Sequence, residues 1–471
     1  MQIANQIALA IQNKHLSDGL KLPGTRTMAV LLGVHRNTVS NSYHVLETQG
    51  WVRSEVGRGT FIQWGIQEHQ QGEDLAKRRA GFPNQTGFSF RRWSLLDNVY
   101  GNGTAAIRMD DGLPDIRLSN LDHLARLFHT NMKRRNTLGK LEAENRAAHH
   151  FYRDQLTQYL NLTRGLGIVP DQLLITRSRE LGMNIVAETL IKPGDTVIVG
   201  ALSYFAVNMI LQKAGARIRT VPMDEMGVIP EALREIHQKQ PFRLLYLTPH
   251  YHYPTTVTLS AKRREALLQM SVELGFIILE DDYDFDFNFD QRPLLPLAAM
   301  DTEGMVVYLG TFGRTMPSAF RSGYLVAPQP LIHEMQKLHA VMDRYGDPLG
   351  ELALGELIAD GDVYRYLRES VQKYRKRRDT MAQELAVKLG HLIDFEVPNG
   401  GLAMWTSWPN SQNLLQFSKA CSKAGLFIPP FLLYQSKTLS GIRMGFGSLT
   451  PTEIVTAVEI MKSVYNLSEN A

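Results

Sequence analysis

The chain has 471 residues, a length that calls for two or three domains rather than one. Hydrophobic residues make up 44% and charged residues 21%, the balance of a globular chain with a sizeable core, and no apolar stretch approaches the ~20 residues needed to span a bilayer. The net charge is only +4, which excludes a uniformly basic chain, so any affinity for nucleic acid has to be read locally. The opening Met1-Gln-Ile-Ala-Asn-Gln-Ile7 lacks the basic segment and apolar run of a signal peptide. A single cysteine, Cys421, permits no internal disulfide, and its setting in an amphipathic run suits a buried structural thiol. A cytoplasmic protein without a membrane partner is expected.

Ile3, Ile7, Ala10 and Ile11 recur at helical spacing and predict a first helix ending near Lys14. The run Leu20-Lys-Leu-Pro-Gly-Thr-Arg26 turns the chain at Pro23-Gly24, and a short helix through Met28, Leu31 and Leu32 is broken by Gly33. Next comes Val34-His-Arg-Asn-Thr-Val-Ser-Asn-Ser-Tyr-His-Val-Leu46. Val39, Tyr43 and Leu46 mark its buried face, and Arg36, Asn37, Thr38 and Ser40 lie outward near its start. In a helix-turn-helix that end of the second helix enters the major groove, where arginine grips guanine and asparagine pairs with adenine. Trp51-Val-Arg-Ser-Glu55 and Thr60-Phe-Ile-Gln63 alternate like strands, and Gly57-Arg58-Gly59 closes a hairpin shaped to reach phosphate. Six basic residues against three acidic ones leave residues 1–64 with a balance of +3.

This stretch resembles the GntR-type winged helix over its whole length. The match rests on Leu22-Pro23 with Arg26, Leu32-Gly-Val34, Arg36 with Thr38-Val39, Tyr43, Leu46, Gly50-Trp51, and Gly57 with Gly59-Thr60-Phe61. The resemblance implies that Arg26, His35, Arg36, Asn37, Thr38, Ser40, Gly57 and Arg58 meet double-stranded DNA. His35 departs from the Ser or Thr usual at its position.

Residues 65–88 lose all periodicity, with Gln67-Glu-His-Gln-Gln-Gly-Glu-Asp74 followed by Lys77-Arg-Arg79, and read as a linker. Beyond it, Leu173-Leu-Ile-Thr176, Thr196-Val-Ile-Val199, Arg243-Leu-Leu-Tyr-Leu247, Phe276-Ile-Ile-Leu279 and Met305-Val-Val-Tyr-Leu309 are short apolar runs suited to buried parallel strands. Helical stretches separate them, which predicts an α/β domain whose ligands sit beyond the carboxyl ends of the strands. At those ends stand Glu280-Asp-Asp-Tyr-Asp284, Thr248-Pro-His-Tyr-His-Tyr-Pro-Thr255, and Gly310-Thr-Phe-Gly-Arg-Thr-Met-Pro317 followed by Arg321. Arg443 lies in the later run Gly441–Phe446.

Order and spacing, including Gly112-Leu-Pro-Asp115, Pro193-Gly-Asp195 and Gly400-Gly401, are similar to the MocR-type subgroup of GntR regulators. The implied architecture is a winged helix-turn-helix (1–64), the linker (65–88), and a fold-type-I aminotransferase-like domain. That domain comprises a large α/β part (89–330) and a helical connection with a small C-terminal α+β part (331–471). By that resemblance Tyr204 stacks on a pyridoxal phosphate ring, Asp281 faces the pyridine nitrogen, and Tyr283 reaches the ring hydroxyl. Arg321 holds the phosphate and Arg443 a ligand carboxylate, with Tyr253 in the same set. A homodimer is implied as well.

The family's Schiff-base lysine falls at Arg314, and no lysine occurs between Lys262 and Lys337. A guanidinium has no free lone pair to attack an aldehyde, so transamination is not expected and any cofactor is held non-covalently at most. The family's Gly-Ser pair after the first strand aligns with Ser178-Arg179, which places a bulky cation where a phosphate contact would be. Three fates of the pocket stay open. Asp281 pairs with Arg314 in a closed relic, or a different small anion is the effector, or pyridoxal or pyridoxamine phosphate binds without a covalent bond. Arg179, Arg314, Arg321 and Arg443 are expected to converge there, opposed mainly by Asp281. Besides a regulator, two readings remain: an aminotransferase-type enzyme carrying a DNA-binding domain, and a structural DNA-bound dimer without a ligand.

Overall fold

In a computed structural model of the chain, residues 2–63, 84–92, 97, 101, 103–119, 121–134, 147–289, 294–312, 322–344 and 346–469 are described. They fall into two units, Met1–Trp93 and Ser94–Ala471.

In the first unit, Ala4, Ile7 and Ile11 share one buried face of α1 (Gln2–Gln12). Helix α2 (Thr25–Leu32) stops at Gly33, whose φ of 63° is the left-handed C-cap that glycine adopts without a Cβ clash. Helix α3 (Arg36–Thr48) buries Val39, Tyr43 and Leu46 as the spacing predicts. The Tyr43 hydroxyl donates to the Pro23 carbonyl at 2.8 Å and ties α3 to the turn before α2. Strands β1 (Val52–Glu55) and β2 (Gly59–Ile62) pair antiparallel from Val52–Ile62 to Glu55–Gly59. Leu22, Ala29, Val52 and Ile62 complete a core belonging to this unit.

The second unit is built on a seven-stranded sheet. Its strands are β3 (Leu173–Thr176), β4 (Thr196–Gly200), β5 (Arg217–Val221), β6 (Leu244–Leu247), β7 (Ile277–Asp282), β8 (Val306–Thr311) and β9 (Gly323–Val326), in the order β3-β9-β8-β7-β6-β4-β5. β9 runs antiparallel to both neighbours, and the other pairs are parallel. The five runs read from sequence are all here. β5 and β9 were not read as strands: β5 is an edge whose Arg217 and Arg219 break the apolar signature, and β9 opens on Gly323, a residue depleted in strands. Helices α4 (Arg179–Leu190), α5 (Phe205–Lys213) and α6 (Ala261–Leu274) connect the strands and pack on the faces of the sheet.

A second sheet follows the long helix α7 (Asp362–Leu389). It has four antiparallel strands, β10 (Asp394–Phe395), β11 (Ala403–Ser407), β12 (Leu433–Gln435) and β13 (Ser440–Gly445), in the order β10-β11-β13-β12. α7, α8 (Leu414–Lys423) and α9 (Pro451–Glu469) supply its core partners. Cys421 of α8 is fully buried, as expected. Among the described residues no helix is long and apolar enough to cross a membrane.

Candidate nucleic-acid interface and ligand pocket

The start of α3 is an exposed polar edge on a buried helix. Arg36, Asn37, Thr38 and Ser40 are exposed while Val39 between them is fully buried. His35 is the N-cap: its ring Nδ1 accepts from the Asn37 N–H at 3.3 Å. Ser and Thr cap helices through their hydroxyl oxygens, so the imidazole does here the capping work of the usual residue. The Arg36 Nε lies 3.4 Å from the Thr25 hydroxyl, which links the two helices at the exposed edge, and Arg26 is exposed one residue on. At the hairpin tip Gly57 has φ 76°, and Arg58 sits 2.8 Å from Glu55 with its side chain 76% exposed.

The pocket is assembled by the carboxyl ends of the strands. Ser178 caps α4 by accepting from the Leu181 N–H at 3.1 Å, so its hydroxyl is engaged by the helix. Arg179 is the first residue of that helix. A Cβ on Gly323 would lie 2.6 Å from the Ser178 carbonyl carbon, so only glycine lets β9 approach the backbone that sets Arg179 in place. The Arg179 Nε donates to Asp281 Oδ1 at 2.7 Å and its Nη2 donates to Oδ2. Oδ2 also accepts from the Tyr246 hydroxyl at 2.6 Å. The guanidinium carbon lies over the rings of Tyr204 and Tyr283, at 5.1 and 5.4 Å from their centroids. Burial opposes the charge of Arg179, but Asp281 holds its pKa well above the ordinary value.

Strand alternation sorts the acidic cluster. Asp281 faces the pocket. Glu280 instead accepts from the Leu297 and Ala298 N–H groups at 2.9 and 2.8 Å, and burial, then the charge of Asp282, pushes it up to about 7. Asp282 accepts from the Tyr308 hydroxyl at 2.7 Å and lies 3.2 Å from His250.

Arg443, on β13, is almost fully buried. It donates to the Asp111 and Pro254 carbonyls, each at 3.0 Å, and to the Tyr283 hydroxyl at 3.3 Å, and stacks 4.5 Å from the Tyr253 ring. The Tyr283 hydroxyl itself donates to the Tyr251 carbonyl at 2.7 Å. Tyr204 meets Tyr253 edge-on at 4.9 Å. His252 is buried nearby, its Nδ1 2.8 Å from the Thr255 hydroxyl, and burial, then the Arg443 charge, lowers its pKa to about 3.

Tyr204, Tyr253, Asp281, Tyr283, Arg179 and Arg443 are thus brought together, whereas Arg314 and Arg321 lie outside the described residues. The described partner of Asp281 is Arg179, which the helix start aims directly at it. Arg179 takes the carboxylate expected to oppose all four guanidinium groups, and Arg443 is held by neutral carbonyls and the Tyr283 hydroxyl. Tyr246 was missed altogether. Its place in a wholly apolar strand hid it, although it lies in register beside Leu279, two residues before Asp281.

In this arrangement the described residues do not fit the ring of pyridoxal phosphate. The carboxylate meant for the pyridinium nitrogen has both oxygens taken, and the ring meant for stacking faces a guanidinium. Among the described residues no group of His, Cys, Asp and Glu is placed to hold a metal ion.

Residues 114–461 match the model for aminotransferase class I and II, and residues 1–62 match the bacterial regulatory proteins of the gntR family. The chain is similar to the uncharacterized HTH-type transcriptional regulator YisV of Bacillus subtilis (strain 168), 25% identical over 446 residues, which span 94% of this chain and 90% of that protein. It is similar also to the probable rhizopine catabolism regulatory protein MocR of Rhizobium meliloti, 24% identical over 475 residues, spanning 100% of this chain and 94% of that one. Among solved structures, the Pyrococcus horikoshii kynurenine aminotransferase aligns with a TM-score of 0.72 at 22% identity, covering 84% of this chain and 99% of that one, a likeness of fold. The chain belongs to the aminotransferase class I and II family and carries at its N-terminus a domain of the bacterial gntR family.

Proposed function

We propose that this chain is a sequence-specific DNA-binding transcription regulator whose aminotransferase-like domain senses rather than catalyses. The observation that carries this reading is the first turn of α3, where Arg36, Asn37, Thr38 and Ser40 stand exposed on a helix anchored by buried Val39, Tyr43 and Leu46. That arrangement suits base-edge contacts in the major groove, with Arg58 at the hairpin tip suited to phosphate. Similarity along nearly the whole chain to proteins named as an HTH-type transcriptional regulator and a catabolism regulatory protein supports it. The chain acts as a homodimer on two half-sites in the cytoplasm. Arg314 stands at the lysine position, which removes the nucleophile transamination needs. Any pyridoxal phosphate is held non-covalently at most. If a small anion is the effector, Arg314 and Arg321 are its contacts, because Arg179 and Arg443 already have partners inside the protein.

The test is a gel shift at fixed salt with duplexes selected from a random pool. The double variant Arg26→Ala/Arg36→Ala should bind at least tenfold more weakly than the unaltered chain; equal binding refutes the reading. Borohydride reduction in the presence of pyridoxal phosphate should leave no pyridoxyl group on a lysine lining the pocket.

A further inference from the structure

We infer that the Arg179 guanidinium is a built-in ligand of the pocket, a cation tethered to the chain that takes the place of a pyridinium ring, so that the domain is complete without pyridoxal phosphate. A pyridinium and a guanidinium share three properties. Each is planar, each carries a delocalised positive charge, and each presents N–H to a carboxylate while stacking on an aromatic face. Arg179 meets all three demands at once, with two donors to Asp281 and the rings of Tyr204 and Tyr283 at stacking distance.

Local helix energetics do not explain the arginine. A cation in the first turn of α4 opposes the helix dipole, so the helix alone would favour an acidic or neutral residue there. The partner across the sheet end explains it. Asp281 is fully buried, and a buried carboxylate needs a charge or donors to match it. An arginine on the chain meets that need at no cost in association entropy, which a free ligand would have to supply from its binding energy. Ser178 fixes the helix start and Gly323 packs against the same backbone, so the side chain is aimed before any ligand arrives. A ring entering the site would have to break a bidentate, charge-assisted pair.

This inference deepens the regulator reading and rests on it for one consequence, that DNA binding is indifferent to pyridoxal phosphate. The experiment keeps the two apart. Full-length protein is titrated with pyridoxamine phosphate, which has no aldehyde to react with surface lysines, and binding is read by equilibrium dialysis and by the melting temperature. The unaltered chain should show no saturable binding and no shift. Arg179→Ser vacates the space and releases Asp281 from the guanidinium while Tyr246 stays on Oδ2, so it should bind at least tenfold more tightly and melt higher with ligand than without. Arg179→Ser/Asp281→Asn, which removes the carboxylate too, should lose that gain. If Arg179→Ser does not fold by itself, recovery of folded protein on refolding with pyridoxamine phosphate supports the inference, and equal recovery with and without it overturns it. Equal binding by the unaltered chain and Arg179→Ser overturns it as well, as does a folded Arg179→Ser that gains nothing. A gel shift of the unaltered chain with and without pyridoxal phosphate should be the same. Failure to bind DNA at all would sink the regulator reading and leave the pocket result standing.

Discussion

Arg443 and His252 show how a buried cation reshapes its neighbours. The guanidinium is held by carbonyls and the Tyr283 hydroxyl; burial first, and then the guanidinium charge, disfavours a positive charge on the imidazole. His252 therefore stays neutral, with its folded pKa at about 3 against an ordinary 6.5. Between those values the unfolded chain binds a proton that the folded chain refuses. The contribution to stability is full above pH 6.5 and falls as the pH drops, by about tenfold in the folding constant per pH unit. His252→Gln should flatten that decline, measured as urea midpoints between pH 4.5 and 7; an unchanged slope would assign the titration to another group. At this scale the sequence was legible wherever a role depends on residue type. Asp281, Tyr204, Tyr283 and Arg443, all named from the motifs, come together in one pocket, and the ligand roles that the resemblance gives them stay proposals. Which cation meets Asp281 was not legible, because that depends on the direction in which α4 leaves its cap, a fact of three dimensions with no spacing to announce it.

Helix α3 depends on both of its ends. His35 closes the first turn through a ring nitrogen, and Glu47 in the last turn accepts from the Ser54 N–H at 2.9 Å, which fixes the hairpin against the helix. On the proposed reading, the polar edge and the hairpin tip divide the work of binding. Arg36→Ala should cost roughly 1–3 kcal/mol of affinity and relax base preference at one position, whereas Arg58→Ala should weaken binding to all sequences alike. Fluorescence anisotropy across a salt series separates the two: the Arg58 variant should lower the slope of log K against log salt by about 1 and the Arg36 variant should change it little. A base-dependent loss at Arg58 would reverse these roles. The elements of this unit were readable because Gly33 and the Gly57–Gly59 turn punctuate them. The same logic found the parallel strands, whose continuous apolar runs mark burial on both faces. It passed over β5, where only one of five residues is fully buried.

At the scale of the whole molecule, the two units keep separate cores. The buried residues of the first cluster all lie between Ala4 and Ile62, so residues 1–64 expressed alone should fold and melt cooperatively. Without the second unit to pair it, that fragment should bind a two-half-site duplex at least tenfold more weakly than the full chain and occupy each half-site independently, as read by gel shift. Equal affinity would remove the case for a dimer. The ion pair of Arg179 and Asp281 has one more consequence, for supply. A protein completed by a diffusible molecule owes part of its stability to how much of that molecule the cell holds, and its melting point follows the supply. Here the group that completes the pocket is made with the polypeptide, one per chain, and neither starvation nor dialysis can remove it.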